Sequence, residues 1–385
     1  MIDLLDPELH GRGEELAAFR ALREEHGPIV RTPGRRGPGY WSVLGHPELG
    51  LVLRDPATFS SFSGTRPEVL RPEASIRPLH NLDPPAHAPL RVVAGRAIHA
   101  TRLTALDPVI EAAIARVFAI STGDLIPVLE AELAHVFATW LGFRVDPQVL
   151  LARVSGVHAA GAALLETART DPSWPARAAE AQQASRAIAE LMADEIAHAR
   201  EGTVLREIRE AAPDQAHSLG ALLVEAGLPT SSDAIGSAIV DLVDQPSALA
   251  ANPDLLVEEL LRRASPIAQF ARLATRDVEL AGVHIRAGEQ VVTWMVAANH
   301  DERVFAAPEQ LVPSRDPNPH VAFGAGPHRC LGAILGRRLL RAVIATLRRR
   351  TVTSTAPPVR RASSYMRGYA SLPVTIESRS AGNQV

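Results

Sequence analysis

Phe323-Gly324-Ala325-Gly326-Pro327-His328-Arg329-Cys330-Leu331-Gly332 decides how this chain is read. The segment places two glycines, a proline and the chain's single cysteine just ahead of an amphipathic stretch, Leu331 to Arg350, whose apolar residues recur at helical spacing. That order sets a thiol at or just before a helix N-terminus. Unpaired N–H groups and the helix dipole there favour thiolate over thiol. Gly324 and Gly326 permit turns that a Cβ opposes, so the backbone can wrap the sulfur and donate hydrogen bonds to it. On the cysteine alone two plain readings stand, a small buried hydrophobe and a nucleophilic thiol. The glycine spacing weighs against the first. One cysteine also excludes an internal disulfide.

Working outward, the 385 residues are 46% hydrophobic and 22% charged, enough apolar material for a substantial core and against global disorder. Forty basic residues against 43 acidic ones give a net charge of -3, which argues against a dedicated nucleic-acid binder. All the Lys+Arg residues are arginines. Met1 to Pro7 carries charges where a signal peptide needs an apolar run. Apolar runs such as Val291 to Ala298 fall short of the ~20 residues that span a bilayer. The expectation is a cytoplasmic protein without a membrane segment.

Tyr40 to Leu44 reads as a strand and His46 to Leu53 as a helix. Thr58 to Leu79 is rich in Ser, Gly and Pro and reads as a loop. From Pro85 to about Arg209 the pattern is helical, with breaks near Thr122-Gly123, Asp146-Pro147 and Asp171 to Pro175. Further helices are expected over Ser218 to Asp244 and Pro253 to Arg263. Short strands follow at Asp277 to Leu280, Val283 to Ile285 and Val291 to Trp294. The class is mainly α with a small β portion concentrated late. No repeat or long linker divides the chain, so residues 1–385 are read as one domain.

The cysteine segment resembles the heme-ligand loop of the cytochrome P450 family, Phe-Gly-x-Gly-x-His-x-Cys-x-Gly, at every defined position. The resemblance implies that Cys330 is the axial thiolate of heme b, iron protoporphyrin IX. Such a ligand pushes electron density onto iron and favours O–O cleavage. It implies cofactor contacts from Phe323, Gly324, His328 and Gly332, with His328 at a heme propionate. Glu259 and Arg262 lie at i and i+3 and can pair on one helix face, by itself an ordinary signal. They match the family's Glu-x-x-Arg, which joins a later arginine, here Arg315, in a structural network. Asp83-Pro84-Pro85 reads as a helix start, with His87 and Arg91 one turn apart. The family sets that His and Arg on heme propionates, and Arg272 matches another propionate-binding arginine. The likeness runs from about Tyr40 to Pro373. The implied fold holds heme between a long central distal helix and the proximal helix that follows the cysteine loop.

The central helix departs from the pattern. The family usually shows Ala-Gly-x-acid-Thr there, the acid and alcohol delivering protons to dioxygen. Here Ala226, Gly227 and Thr230 fit, but Pro229 occupies the acid position. A proline inside a helix removes one N–H and crowds the carbonyl four residues back, that of Glu225. Glu225 lies one turn from Pro229 on roughly the same face. It is a candidate to feed protons through water or to pair with a cationic substrate group; the plain alternative is a solvated side chain. Asp233 is a weaker candidate for the missing acid. Thr230 is expected to steer protonation, against the plain alternative of bonding its own backbone.

The implied activity is a heme-thiolate monooxygenase that takes electrons from ferredoxin and ferredoxin reductase and inserts one oxygen atom into a small organic substrate. A tailoring step in secondary metabolism is the family-level expectation, and the protein is expected to be a monomer. Arg329, Arg337, Arg338 and Arg341 flank the cysteine loop and are candidates for a basic docking face. Ser60 to Leu79, Leu222 to Thr230 and Pro266 to Gln269 are expected to line the substrate pocket. Two rivals remain: a peroxide-driven or oxidative-coupling heme-thiolate enzyme, motivated by Pro229, and a non-catalytic heme or ligand-binding protein.

Overall fold

Ala216–Asp244 is apolar on nearly every side, so it can only be stable wrapped by other elements. The computed structural model describes residues 2–35, 37–68, 77–167 and 171–379, and Ala216–Asp244 forms its central helix. The helices Leu125–Leu141, Trp174–Ala197, Pro253–Ala264 and Ala333–Leu347 pack against it. Gly227 makes one of these approaches possible, because a Cβ there falls 2.3 Å from the ring of Phe137 on Leu125–Leu141. The main apolar core runs through these helices. The mainly α class with a small β portion is borne out.

The largest sheet has five strands in the order Ile29–Thr32, Tyr40–Val43, Gln290–Trp294, Gln269–Ala274, Phe59–Ser60. Its middle strand, Gln290–Trp294, is buried throughout. Val292 and Trp294 enter a cluster with Leu4, Phe19 and Tyr40, while Val291 joins Ile29, Leu49 and Phe59 in another. Two buried faces explain the continuous apolar run there. On the neighbouring strand Ala271 belongs to the first cluster. The period of two therefore turns Arg272 away from it.

Several expectations shift at their edges. The central helix begins at Ala216, two residues before Ser218. The helix after the cysteine ends at Leu347, and Arg350 opens a strand, Arg350–Ser354. Thr122-Gly123 marks a helix break and also starts the strand Thr122–Asp124, which pairs with Pro373–Ser378. Within the expected Thr58 to Leu79 loop, Phe59–Ser60 pairs with Gln269–Ala274; residues 69–76 of that loop lie outside the described residues. Among the described residues one segment, Pro147–Leu165, is long and apolar enough to cross a membrane, which the scan of apolar runs did not mark. It carries Arg153 and His158 and packs along Trp174–Ala197.

A buried polar network fixes the loop that leads to the cysteine. Arg262 donates to both Glu259 oxygens at 2.8 Å, and neither side chain is exposed. Glu259 also accepts from the Val312 N–H at 3.0 Å, Arg315 Nε at 3.0 Å and Asn318 Nδ2 at 3.1 Å. Burial alone would raise the Glu259 carboxyl, but these donors outweigh it and hold it below its usual range. Arg262 Nη1 donates to the Asn299 carbonyl, and Asn299 Oδ1 accepts from the Val321 N–H at 2.7 Å. Val321 stands two residues before Phe323, so the network ends at the cysteine loop.

Candidate functional site

The cysteine loop is shaped by its glycines. Gly324 and Gly326 have φ of 67° and 68°, in the region that favours glycine. At Gly326 space matters as well, since a Cβ would lie 2.3 Å from the Leu53 carbonyl oxygen. The Cys330 N–H donates to the Phe323 carbonyl at 2.8 Å, closing the loop ahead of the helix Ala333–Leu347. Gly332 caps that helix, and a Cβ there would come 3.7 Å from the sulfur. The thiol is open to solvent, yet it sits in a recess. Burial pushes it up, while the N–H groups of Gly332 and Ala333 and the guanidiniums of Arg91 and Arg329 pull it down.

Basic groups from three distant segments meet beside this loop. The His87 and His328 rings lie 4.4 Å apart, centre to centre. Burial, then Arg272, His87, Arg91 and His80, pushes His328 down to about 3. Burial, then Arg66 and Arg272, pushes His80 down to about 4. Arg272 is 5% exposed, and its one hydrogen bond among the described residues is to the Ala271 carbonyl. Burial pushes it down to about 10. Asp83 is the carboxylate within electrostatic reach, but it accepts from Ser60 Oγ and, at 2.9 Å, from the Ser61 N–H. Arg91 donates to the Arg329 carbonyl at 2.6 Å and so ties its helix to the cysteine loop. Among the described residues none of His80, His87, Arg91, Arg272 and His328 has an ion pair. Arg272 is the buried cation of this group, with Arg91 beside it and the histidines as neutral hydrogen-bonding partners. A buried cation without a counter-ion is costly, and a ligand bearing carboxylates relieves that cost. A thiol in a recess beside such a cluster fits a heme with two propionates.

The helix start in this region is corrected. His87–Arg96 begins at His87 with Ala86 at its cap, so Asp83, Pro84 and Pro85 precede the helix. Asp83 serves Ser60 and Ser61 and caps nothing.

The middle turns of the central helix bury Leu223, Val224, Leu228 and Pro229. Ala226 is open, and Leu222, Glu225 and Thr230 are half-buried. Thr230 Oγ1 donates to the Ala226 carbonyl at 2.6 Å, the backbone bond weighed in the sequence analysis. Its hydrogen is thereby spent, and its lone pairs remain free to accept. Asp233 is buried and accepts from Arg361 Nε at 2.7 Å. Gly368 passes so closely that a Cβ would strike its carboxylate, so Asp233 belongs to a structural ion pair.

Pro229 has no N–H for the Glu225 carbonyl, and a residue not foreseen supplies one. His158, on the helix Pro147–Glu166, donates from Nε2 to that oxygen at 2.9 Å. Burial lowers His158 and keeps it neutral. No sequence signal links the two residues, which stand 67 apart. The Glu225 carboxylate has no hydrogen bond or ion pair among the described residues, and burial pushes it up to about 7.

The arginines around the cysteine loop are less free than their spacing suggests. Arg337 pairs with Glu258 at 2.6 Å, Arg341 with Asp254 at 2.8 Å and Arg338 with Asp107. Arg329 has no ion pair among the described residues.

A family model described as Cytochrome P450 matches residues 254–370, a span that includes Glu259, Arg262, Arg272 and the cysteine loop. Nocardicin C N-oxygenase of Nocardia uniformis subsp. tsuyamanensis is 31% identical over 385 residues, covering 93% of this chain and 94% of that protein. Cytochrome p450 CYP199A2 of Rhodopseudomonas palustris is 31% identical over 381 residues, covering 91% and 89%. The crystal structure of P450 OxyD, involved in the biosynthesis of vancomycin-type antibiotics, superposes with a TM-score of 0.83 at 24% identity. It covers 98% of this chain and 100% of that one, and shows the shared fold.

Proposed function

The chain belongs to the cytochrome P450 family and is an oxidoreductase that incorporates oxygen, and from that premise we propose that it inserts one atom of dioxygen into a small organic substrate, with Cys330 as the axial ligand of heme b. The observation that carries the reading is the thiol at a helix head beside five basic residues that have no ion pair among the described residues. Heme, when bound, supplies activation of dioxygen with electrons delivered by a partner. The chain's own work is positional. Burial raises the free thiol, and the N–H groups of Gly332 and Ala333 oppose it by favouring negative charge on the sulfur. Arg91, Arg272, His87 and His328 would hold the propionates, and Phe323 and Gly324 would shape the loop that receives the cofactor. Ala226 would add little bulk to the site. Thr230, with its own hydrogen committed to Ala226, accepts a hydrogen bond from water or substrate and so fixes where a proton is offered.

Ferredoxin and ferredoxin reductase are the proposed electron donors, with Arg329 and exposed parts of the surrounding face as the contact. We further propose a cytoplasmic monomer of one domain. The relatives' names span an N-oxygenase and a lipid hydroxylase, so they do not single out one substrate; a secondary-metabolite tailoring step is the reading we favour. A second reading, peroxide-driven turnover, is favoured by Pro229 alone and predicts product from hydrogen peroxide without any reductase. Reduction under carbon monoxide tests the main reading: the wild type is expected to give the absorbance band from which the family takes its name. Cys330→Ser is expected to lose it together with turnover. A Cys330→Ser protein with unchanged pigment and spectrum overturns the proposal.

A further inference from the structure

Glu225 is a half-buried acid on the central helix whose carboxylate has no hydrogen bond or ion pair among the described residues. The helical repeat of 3.6 residues places Leu222, Glu225, Ala226 and Thr230 within about 140° of arc. None of these four is buried, whereas their neighbours Leu223, Val224, Leu228 and Pro229 are. The charged groups the structure describes nearby have partners of their own. Asp233 and Glu130 share Arg361. Arg66 lies over the Tyr365 ring. His158 spends its Nε2 hydrogen on the Glu225 backbone. None of these perturbs the Glu225 carboxyl, whose one resolved influence is burial. A carboxylate partly withdrawn from water is costly to ionise without a partner, and the described residues supply none.

We infer that Glu225 is the anionic recognition group of the substrate pocket and selects substrates that carry a cationic, basic nitrogen. This deepens the proposed monooxygenase reading and rests on it. The cation enters beside the Ala226–Thr230 turn, and its charge replaces the solvation that the carboxylate lost on folding. The gain requires ionised Glu225. With the carboxyl at about 7, a permanently charged ligand must bind better as pH rises through that value. A neutral ligand that accepts a hydrogen bond from the protonated acid must do the reverse.

The test uses heme-loaded protein and two probes, an aryl-alkyl trimethylammonium ion and its neutral tert-butyl isostere. Neither carries a nitrogen lone pair for iron, so direct ligation does not intrude. Binding is read by calorimetry and by the heme spectrum between pH 5.5 and 8.5. The cation is expected to bind at least about tenfold more tightly than its isostere at pH 8, with the preference fading below pH 6. Glu225→Gln is expected to abolish the preference while leaving the isostere's affinity and the ferrous-CO band in place. Equal binding of both probes by wild type at every pH overturns the inference, and this arm needs no variant. A cation preference that survives in Glu225→Gln also overturns it. So does a variant that keeps the preference but turns over slowly and leaks peroxide, which assigns Glu225 to proton delivery. Loss of the ferrous-CO band in wild type is a failure of the heme-thiolate reading instead.

Discussion

Replacing His158 by Phe tests whether a second helix makes good the hydrogen bond that Pro229 removes. Phenylalanine keeps a planar ring of similar reach but has no donor for the Glu225 carbonyl, now bonded at 2.9 Å. That carbonyl then loses its partner in partly dry surroundings, at a cost of about 1–3 kcal/mol. Pro229→Ala returns an N–H to the helix one turn along, where it can bond the same oxygen. In that background His158→Phe should cost roughly 1 kcal/mol or less, leaving a coupling of about 1–2 kcal/mol. Urea unfolding of wild type, both single variants and the double variant, followed by far-ultraviolet circular dichroism, measures the cycle. Hydrogen exchange over Pro147–Glu166 should rise in His158→Phe and recover in part in the double variant. If His158→Phe costs the same in both backgrounds, to within about 0.5 kcal/mol, the two residues are independent and the account of the proline is wrong.

Gly324→Ala and Gly326→Ala should part company. Both residues have positive φ, but only at Gly326 would a Cβ meet backbone, the Leu53 carbonyl at 2.3 Å. Gly324→Ala should cost about 1–2 kcal/mol and still load heme, while Gly326→Ala should yield little loaded protein; equal heme occupancy in the two would refute the close-contact argument. Glu259→Ala leaves Arg262 buried without its carboxylate and should lose about 3–5 kcal/mol in chemical denaturation; a loss under 1 kcal/mol would show that Arg315 and Asn318 do not depend on it. Glu225 binds a proton more tightly folded, at about 7, than unfolded, near its ordinary 4.5. The folded form therefore loses stability as pH rises from 4.5 to 7, by at most about 3 kcal/mol. Ligand-free Glu225→Gln should be more stable than wild type at pH 8 and no more stable at pH 4.5, and parallel stability curves for the two proteins would contradict a dry, unpaired carboxyl.

What could be read without the structure was confined to segments whose parts lie within one or two turns of each other. Phe323 to Gly332 carries its turn chemistry and its thiol in ten consecutive residues. Glu259 and Arg262 are joined by helical spacing alone. The helix Ala216–Asp244 announces itself by length and apolar content. Its proline was visible too, along with the carbonyl it must orphan. The partner of that carbonyl was not visible, because His158 looks like any other histidine on an apolar helix. The arginines after the cysteine misled in the opposite sense. Their spacing presents a basic face, but Asp107, Asp254 and Glu258 come from elsewhere to neutralise three of them.

Sequence alone therefore determined the family, the thiol at a helix head and the missing acid at Pro229, since each depends on the order of neighbouring residues. Only tertiary structure decided which charges stand alone. Arg272, His87 and His328 converge through a strand, a helix and a loop. Glu225 has no ion pair among the described residues, and Arg361 is taken by Asp233 on the same helix and by Glu130. Desolvation and pairing are properties of what surrounds a group in space, and distance along the chain carries almost no information about either.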